Sequence, residues 1–116
     1  IKHAKPGISE YEIEALIEYI FRKNGGTGCA YSSIVGAGEN ATTLHYIENN
    51  KKLKSGDLVL IDAGCEYNYY ASDITRTFPV NKKFSPIQKA VYEIVLEAQK
   101  KAFGEIKPGK RFIDYH

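Results

Sequence analysis

Apolar residues fall at helical spacing in two stretches of the chain and at strand spacing in the sequence between them. Ile13, Leu16, Ile17, Ile20 and Phe21 stand at i, i+3, i+4, i+7 and i+8, which predicts a helix with one stripe turned toward a core. In front of them Ser9-Glu10-Tyr11-Glu12 is an S-x-x-E capping box; behind them Asn24-Gly25-Gly26 permits the left-handed backbone that ends a helix. A second stripe runs through Ile87, Ala90, Val91, Ile94, Val95 and Ala98. Ser85 can cap it, Pro86 suits the first helical position, Gln88 completes the box, and Gly104 is expected to stop it.

Between the helices, residues 30–35 and 42–47 read as short strands separated by the loop Gly36-Ala37-Gly38-Glu39-Asn40. Residues 58–63, Leu-Val-Leu-Ile-Asp-Ala, are nearly all apolar, as in a strand covered on both faces. Residues 72–78 are rich in β-branched and aromatic side chains and are halted by Pro79. The polar segment from Glu66 to Tyr69 joins these two strands as a short antiparallel turn, with Gly64 ahead of it as a candidate bulge. Lys5-Pro6-Gly7 recurs as Lys107-Pro108-Gly109, each before a plausible helix start.

Composition narrows the class without naming a chemistry. With 116 residues, 43 % apolar and 26 % charged, the chain has the make-up of one small globular domain. A net charge of +2 with dispersed Lys and Arg argues against nucleic acid or a membrane surface as partner. No apolar run approaches the roughly 20 residues that span a bilayer. No signal-peptide pattern opens the chain, although one that starts at Ile1 and holds no Met is expected to lack its natural beginning. Cys29 and Cys65 form neither a CxxC zinc motif nor a disulfide framework, so reduced thiols in a reducing, cytoplasmic compartment are expected.

The chemistry lies in Asp62 and Asp73. A hairpin centred between Tyr67 and Asn68 opposes Asp62 to Asp73, Leu60 to Thr75 and Leu58 to Thr77. Both carboxylates then share a face, with Cβ atoms about 4.5–5.5 Å apart. Two ionised carboxylates so placed repel each other and lose hydration, which a shared proton or an intervening cation relieves. Carboxylate oxygens suit hard or borderline divalent ions such as manganese, cobalt or zinc. Spacing alone leaves open, and favours, the plainer reading in which one aspartate faces solvent or caps a turn while the other makes a local hydrogen bond.

The residues around the pair carry a resemblance. Leu60-Ile61-Asp62-Ala63-Gly64-Cys65-Glu66-Tyr67 and Ala71-Ser72-Asp73-Ile74-Thr75-Arg76-Thr77-Phe78-Pro79-Val80-Asn81 resemble aminopeptidase P, the Xaa-Pro aminopeptidase. Ile34 to Asn40 and Thr43-Leu44-His45-Tyr46 upstream, and Lys83-Phe84-Ser85 and Val91 to Glu97 downstream, extend the resemblance over nearly the whole chain. It implies an α+β pita-bread fold, seen as its first half: a curved antiparallel sheet backed by helices over residues 1–116. It implies that Asp62 chelates one of two divalent metal ions, manganese foremost, and that Asp73 bridges both. His45, 17 positions before Asp62, is implied to be a substrate-side histidine and not a metal ligand. The implied substrates are peptides with proline in the second position, and the intact protein is implied to be a homo-oligomer. The remaining ligands, a histidine and two glutamates, belong to a second half, so the chain alone is expected to be inactive. Prolidase, an Xaa-Pro dipeptidase, is the alternative within hydrolases; methionine aminopeptidase fits Ala63-Gly64-Cys65 and residues 75–79 less well. A metal-free pita-bread binding protein is the alternative outside them.

Overall fold

The structure, a computed structural model, describes residues 2–116. They form an α+β arrangement of two compact units that divide between Lys83 and Phe84.

In the first unit, helix α1 (Glu10–Lys23) begins where the capping box predicts: the Ser9 N–H donates to Glu12 Oε2 at 2.7 Å. Asn24 closes it, its backbone N–H on the Ile20 carbonyl. Six short strands follow: β1 (Gly28–Cys29), β2 (Ile34–Ala37), β3 (Leu58–Ala63), β4 (Cys65–Tyr67), β5 (Tyr70–Ala71) and β6 (Ile74–Pro79). They make two antiparallel sheets, ordered β2-β3-β6 and β1-β4-β5. The predicted strand at 30–35 is therefore displaced, with β2 beginning at Ile34 and running into the expected loop.

No strand forms at 42–47. Gly38 takes a φ of 57°, and a 3-10 helix (Gly38–Thr42) follows. The Thr42 hydroxyl donates to the Glu39 carbonyl at 2.7 Å and the Thr43 N–H to the Asn40 carbonyl at 3.1 Å. These local bonds occupy groups that a ladder would have used.

The hairpin is real, but its register is two residues from the expected one. Asp62 pairs with Thr75, Leu60 with Thr77 and Leu58 with Pro79. Glu66 with Ala71 and Tyr67 with Tyr70 continue the same register beyond Gly64. The turn therefore centres between Asn68 and Tyr69, whose φ values of 50° and 68° are those of a two-residue hairpin loop that matches strand twist. Gly64 inserts no extra residue and is not a bulge. It is a point of close approach: a Cβ there would collide with the Ser72 carbonyl oxygen. Its own carbonyl accepts from Ala30 N–H at 2.8 Å, which splits one long hairpin between two sheets.

The core is small. Ala4, Ile13, Val35, Ala37, Leu53, Val59 and Val80 are buried together, with Ile8, Ile17, Ile61 and Phe78 packed against them. Of the α1 stripe, Ile13 is buried and Ile20 is exposed, so the stripe is narrower than its spacing predicts. Beside α1, the Leu53 N–H and carbonyl bond Ile8 and Gly7, so residues 51–53 run against the chain's beginning.

The second unit holds helix α2 (Pro86–Glu105) and a 3-10 helix (Phe112–Asp114). Ser85 and Gln88 make the predicted capping box, with bonds of 2.9 and 3.2 Å. The helix passes through Gly104, which does not stop it. Ion pairs Lys89–Glu93 and Glu97–Lys101 line its exposed side, while Ile87, Val91, Ile94 and Val95 are also exposed. The two Lys-Pro-Gly motifs are one local structure used twice. Each is a turn with glycine at φ 92° or 88°, closed by Ile8 N–H to Lys5 or Lys110 N–H to Lys107.

Candidate metal centre

Asp62 lies one residue from the end of β3, and Asp73 stands immediately before β6. Since Asp62 faces Thr75, Asp73 is its diagonal neighbour on the same face, two residues nearer the turn. The expected direct opposition is thus replaced by a diagonal, and the shared face is kept.

Their meeting point is Tyr31, in the loop between β1 and β2. Its hydroxyl lies 2.6 Å from Asp62 Oδ1 and 2.9 Å from Asp73 Oδ1. A phenol has one proton to give, so two carboxylates compete for a single donor. Burial, and then the two carboxylates, hold the Tyr31 phenol well above its ordinary pKa. It therefore stays a donor at neutral pH. Gly64 makes this possible, because a Cβ there would stand 2.8 Å from Tyr31 Cε1 as well as striking Ser72. The Ser72 side chain returns the constraint, its hydroxyl accepting from Cys65 N–H at 2.9 Å.

His45 sits in the turn after the 3-10 helix, exposed, with a φ of 54°. Among the described residues no hydrogen bond or ion pair joins it to either aspartate. Its loop is pinned from below by Glu10, a fully buried carboxylate of the first helical turn. Glu10 accepts from Ala37 N–H (2.8 Å), Asn40 Nδ2 (3.0 Å), the Tyr46 hydroxyl (2.7 Å) and Lys51 N–H (2.9 Å). Burial and the bond to Glu10 raise the Tyr46 pKa, so that phenol too remains a donor. Sequence reasoning missed both Tyr31 and the burial of Glu10. Nothing in the pattern marks a loop tyrosine, and Glu10 reads as an ordinary acidic residue of a first helical turn, beside the capping-box glutamate Glu12.

The donor set fits a divalent cation. Two carboxylates on one face, both turned to the one Tyr31 hydroxyl, offer adjacent oxygen ligands. Among the described residues no cluster of three or more metal-ligating side chains forms, and two carboxylates alone do not enclose an ion.

A sequence model of metallopeptidase family M24 matches residues 1–116. The chain belongs to that family. An Xaa-Pro aminopeptidase of Escherichia coli is 46 % identical over 98 % of this M24 chain and 26 % of its own length. A human Xaa-Pro dipeptidase is 43 % identical over the whole chain and 24 % of its own length. Among solved structures, aminopeptidase PepP of Pseudomonas aeruginosa superposes with a TM-score of 0.93 at 59 % identity, covering 97 % of this chain and 25 % of that one. The fold is thus the pita-bread fold of aminopeptidase P, and the chain spans about a quarter of the length of the relatives it matches. Solved forms of the Escherichia coli enzyme include alanine replacements of one histidine and two aspartates spaced 17 and 11 residues apart. Another is zinc-substituted and in complex with product.

Proposed function

We propose that this chain contributes two metal-binding aspartates and a substrate-side histidine to a dinuclear aminopeptidase that releases the residue preceding proline. The observation that carries the reading is the convergence of Asp62 and Asp73 on the single Tyr31 hydroxyl. His45, Asp62 and Asp73 are also spaced 17 and 11 residues apart, as are the three positions replaced in the Escherichia coli enzyme.

In this reading Asp62 and Asp73 hold two divalent ions, and their all-oxygen donor set favours manganese over softer-ligand metals. Such ions supply polarisation of a scissile carbonyl and an acidified water. Tyr31 keeps its proton and orients both carboxylates from one side, which fixes the direction of their free oxygens. His45, on a loop that Glu10 braces, hydrogen-bonds the peptide near the scissile bond. Further ligands and a carboxylate general base come from another segment of the parent protein, in keeping with relatives about four times as long. The isolated 116 residues are then inactive. A reducing, cytoplasmic setting belongs to the same reading and rests on two free thiols.

The test is turnover of an Xaa-Pro tripeptide by the parent protein after chelation and after return of manganese or zinc. Metal-dependent release of the first residue is expected, with His45→Ala lowering turnover while metal content stays the same. Release that survives chelation would defeat the proposal. The match to a dipeptidase over the whole chain supports a second reading, Xaa-Pro dipeptide hydrolysis. Peptide length separates the two, since a dipeptidase loses activity on tripeptides and longer substrates.

A further inference from the structure

Cys29 and Cys65, far apart in sequence, are directly opposed on β1 and β4. The bond from Ala30 N–H to the Gly64 carbonyl, one residue farther along, makes theirs a non-hydrogen-bonded pair. Such pairs hold Cα atoms about 4.5 Å apart with both side chains on one face. A disulfide accepts Cα separations of roughly 4.4–6.8 Å, so the backbone is already set for one.

Both thiols are free and half-buried. Cys29 Sγ lies 3.9 Å from Glu18 Oε1 and 3.8 Å from Ser33 Oγ. It helps line a cavity of about 420 Å³ whose other walls include Glu18, Tyr19 and Arg22. Cys65 Sγ lies 3.4 Å from the Glu66 carbonyl and packs against Gly26, whose missing Cβ gives it room. The two sulfurs thus rest on separate partners, and rotation about each Cα–Cβ bond is the motion needed to join them.

We propose that Cys29 and Cys65 are a thiol–disulfide exchange site for a small, charged peptide disulfide such as the glutathione class. The cavity beside Cys29 presents one carboxylate and one guanidinium, which complement a ligand carrying both charges. Cys29 sulfur attacks the small disulfide, its S–S bond breaks, and one thiol leaves with the proton Cys29 gave up. Cys65 sulfur then attacks Cys29 Sγ, expels the second small thiol with the Cys65 proton, and closes the cross-strand bond. Two protein thiols lose two electrons, and one small disulfide gains them as two thiols. The bridge ends one residue from Gly64, the close-approach point beside Tyr31 and Ser72.

The test is incubation of the protein in mixtures of oxidised and reduced glutathione, read by non-reducing mass spectrometry. The expected product is an intramolecular disulfide, a loss of about 2 Da, favoured at least about tenfold more in native protein than in urea. Cys65→Ser is expected to accumulate a glutathione adduct on Cys29, and Cys29→Ser to react at least about tenfold more slowly than the parent. A native protein that carries two lasting adducts, or that is no more readily oxidised than its urea-unfolded form, overturns the proposal without need of either variant. Equal reactivity of Cys29→Ser and the parent overturns the assigned order of attack.

Discussion

Replacing Glu10 by Gln is the most demanding test of how the loop carrying His45 is held. The carboxylate is 0 % exposed and receives four donors, two on each oxygen: Ala37 N–H and Asn40 Nδ2 on one, the Tyr46 hydroxyl and Lys51 N–H on the other. A glutamine must turn its NH₂ toward one of these pairs. Tyr46 can rotate its hydroxyl to accept, and Asn40 can present its own oxygen, but the backbone N–H of Ala37 or Lys51 has no such freedom. One N–H, that of buried Ala37 or the partly buried one of Lys51, is left without an acceptor, at about 1–3 kcal/mol. The bonds that survive lose charge assistance, which costs about 1 kcal/mol more. The expected destabilisation of Glu10→Gln is thus about 2–4 kcal/mol, against a total of about 5–15 kcal/mol for a small domain. Glu10→Ala, which strands all four donors and leaves a void, is expected to cost more. Urea unfolding followed by circular dichroism reads this as a midpoint drop of about 1–3 M with an unchanged slope. Amide exchange should quicken across residues 37–51 in step. A midpoint shift below about 0.3 M would mean that the four bonds do not hold the loop, and the bracing argument would fail.

Asp62→Asn and Asp73→Asn should each lower metal retention by the parent protein by more than the roughly 10–100-fold typical of losing an outer-shell partner; unchanged metal after dialysis would contradict ligation. Tyr31→Phe tests the shared phenol through pH. Because folding raises the Tyr31 pKa, its stabilisation is complete below the unfolded value near 10 and is lost as pH rises through the folded value. The stability gap between parent and Tyr31→Phe should be flat below about pH 10 and shrink above it, and an alkaline absorbance titration should show one late-ionising tyrosine fewer. A gap that stays constant to high pH would refute it. Gly64→Ala forces a methyl onto the Ser72 carbonyl and the Tyr31 ring, so it should destabilise by about 1–3 kcal/mol or more. Thermal unfolding that matches the parent would show that the approach at Gly64 is slack.

What sequence could reveal here depended on whether the information was local. Helix ends were readable because Ser9 with Glu12 and Ser85 with Gln88 satisfy donors within four residues of one another. The Tyr31 bonds to Asp62 and Asp73 were not, since they link residues 31 and 42 positions apart and leave no mark on periodicity. The strand expected around His45 failed for a local reason that was hard to weigh: Thr42 and Asn40 spend their bonding groups inside the loop.

The hairpin shows why an incorrect register could still lead to the right face. The polar segment from Glu66 to Tyr69 allows more than one turn centre, and the one adopted puts a tyrosine, not a glycine, at positive φ. The resulting shift moves the partner of Asp62 from Asp73 to Thr75, a displacement of two residues. Side chains alternate along a strand with a period of two, so this displacement returns every residue to the face it had. A slip of one would have sent Asp73 to the opposite side and left Asp62 facing Tyr31 alone. What had to be right for the metal proposal was therefore parity and not distance. The diagonal placement changes what each carboxylate can reach: directly opposed groups would repel across a short gap, whereas diagonal ones leave a space that a phenol proton bridges here and a cation can occupy.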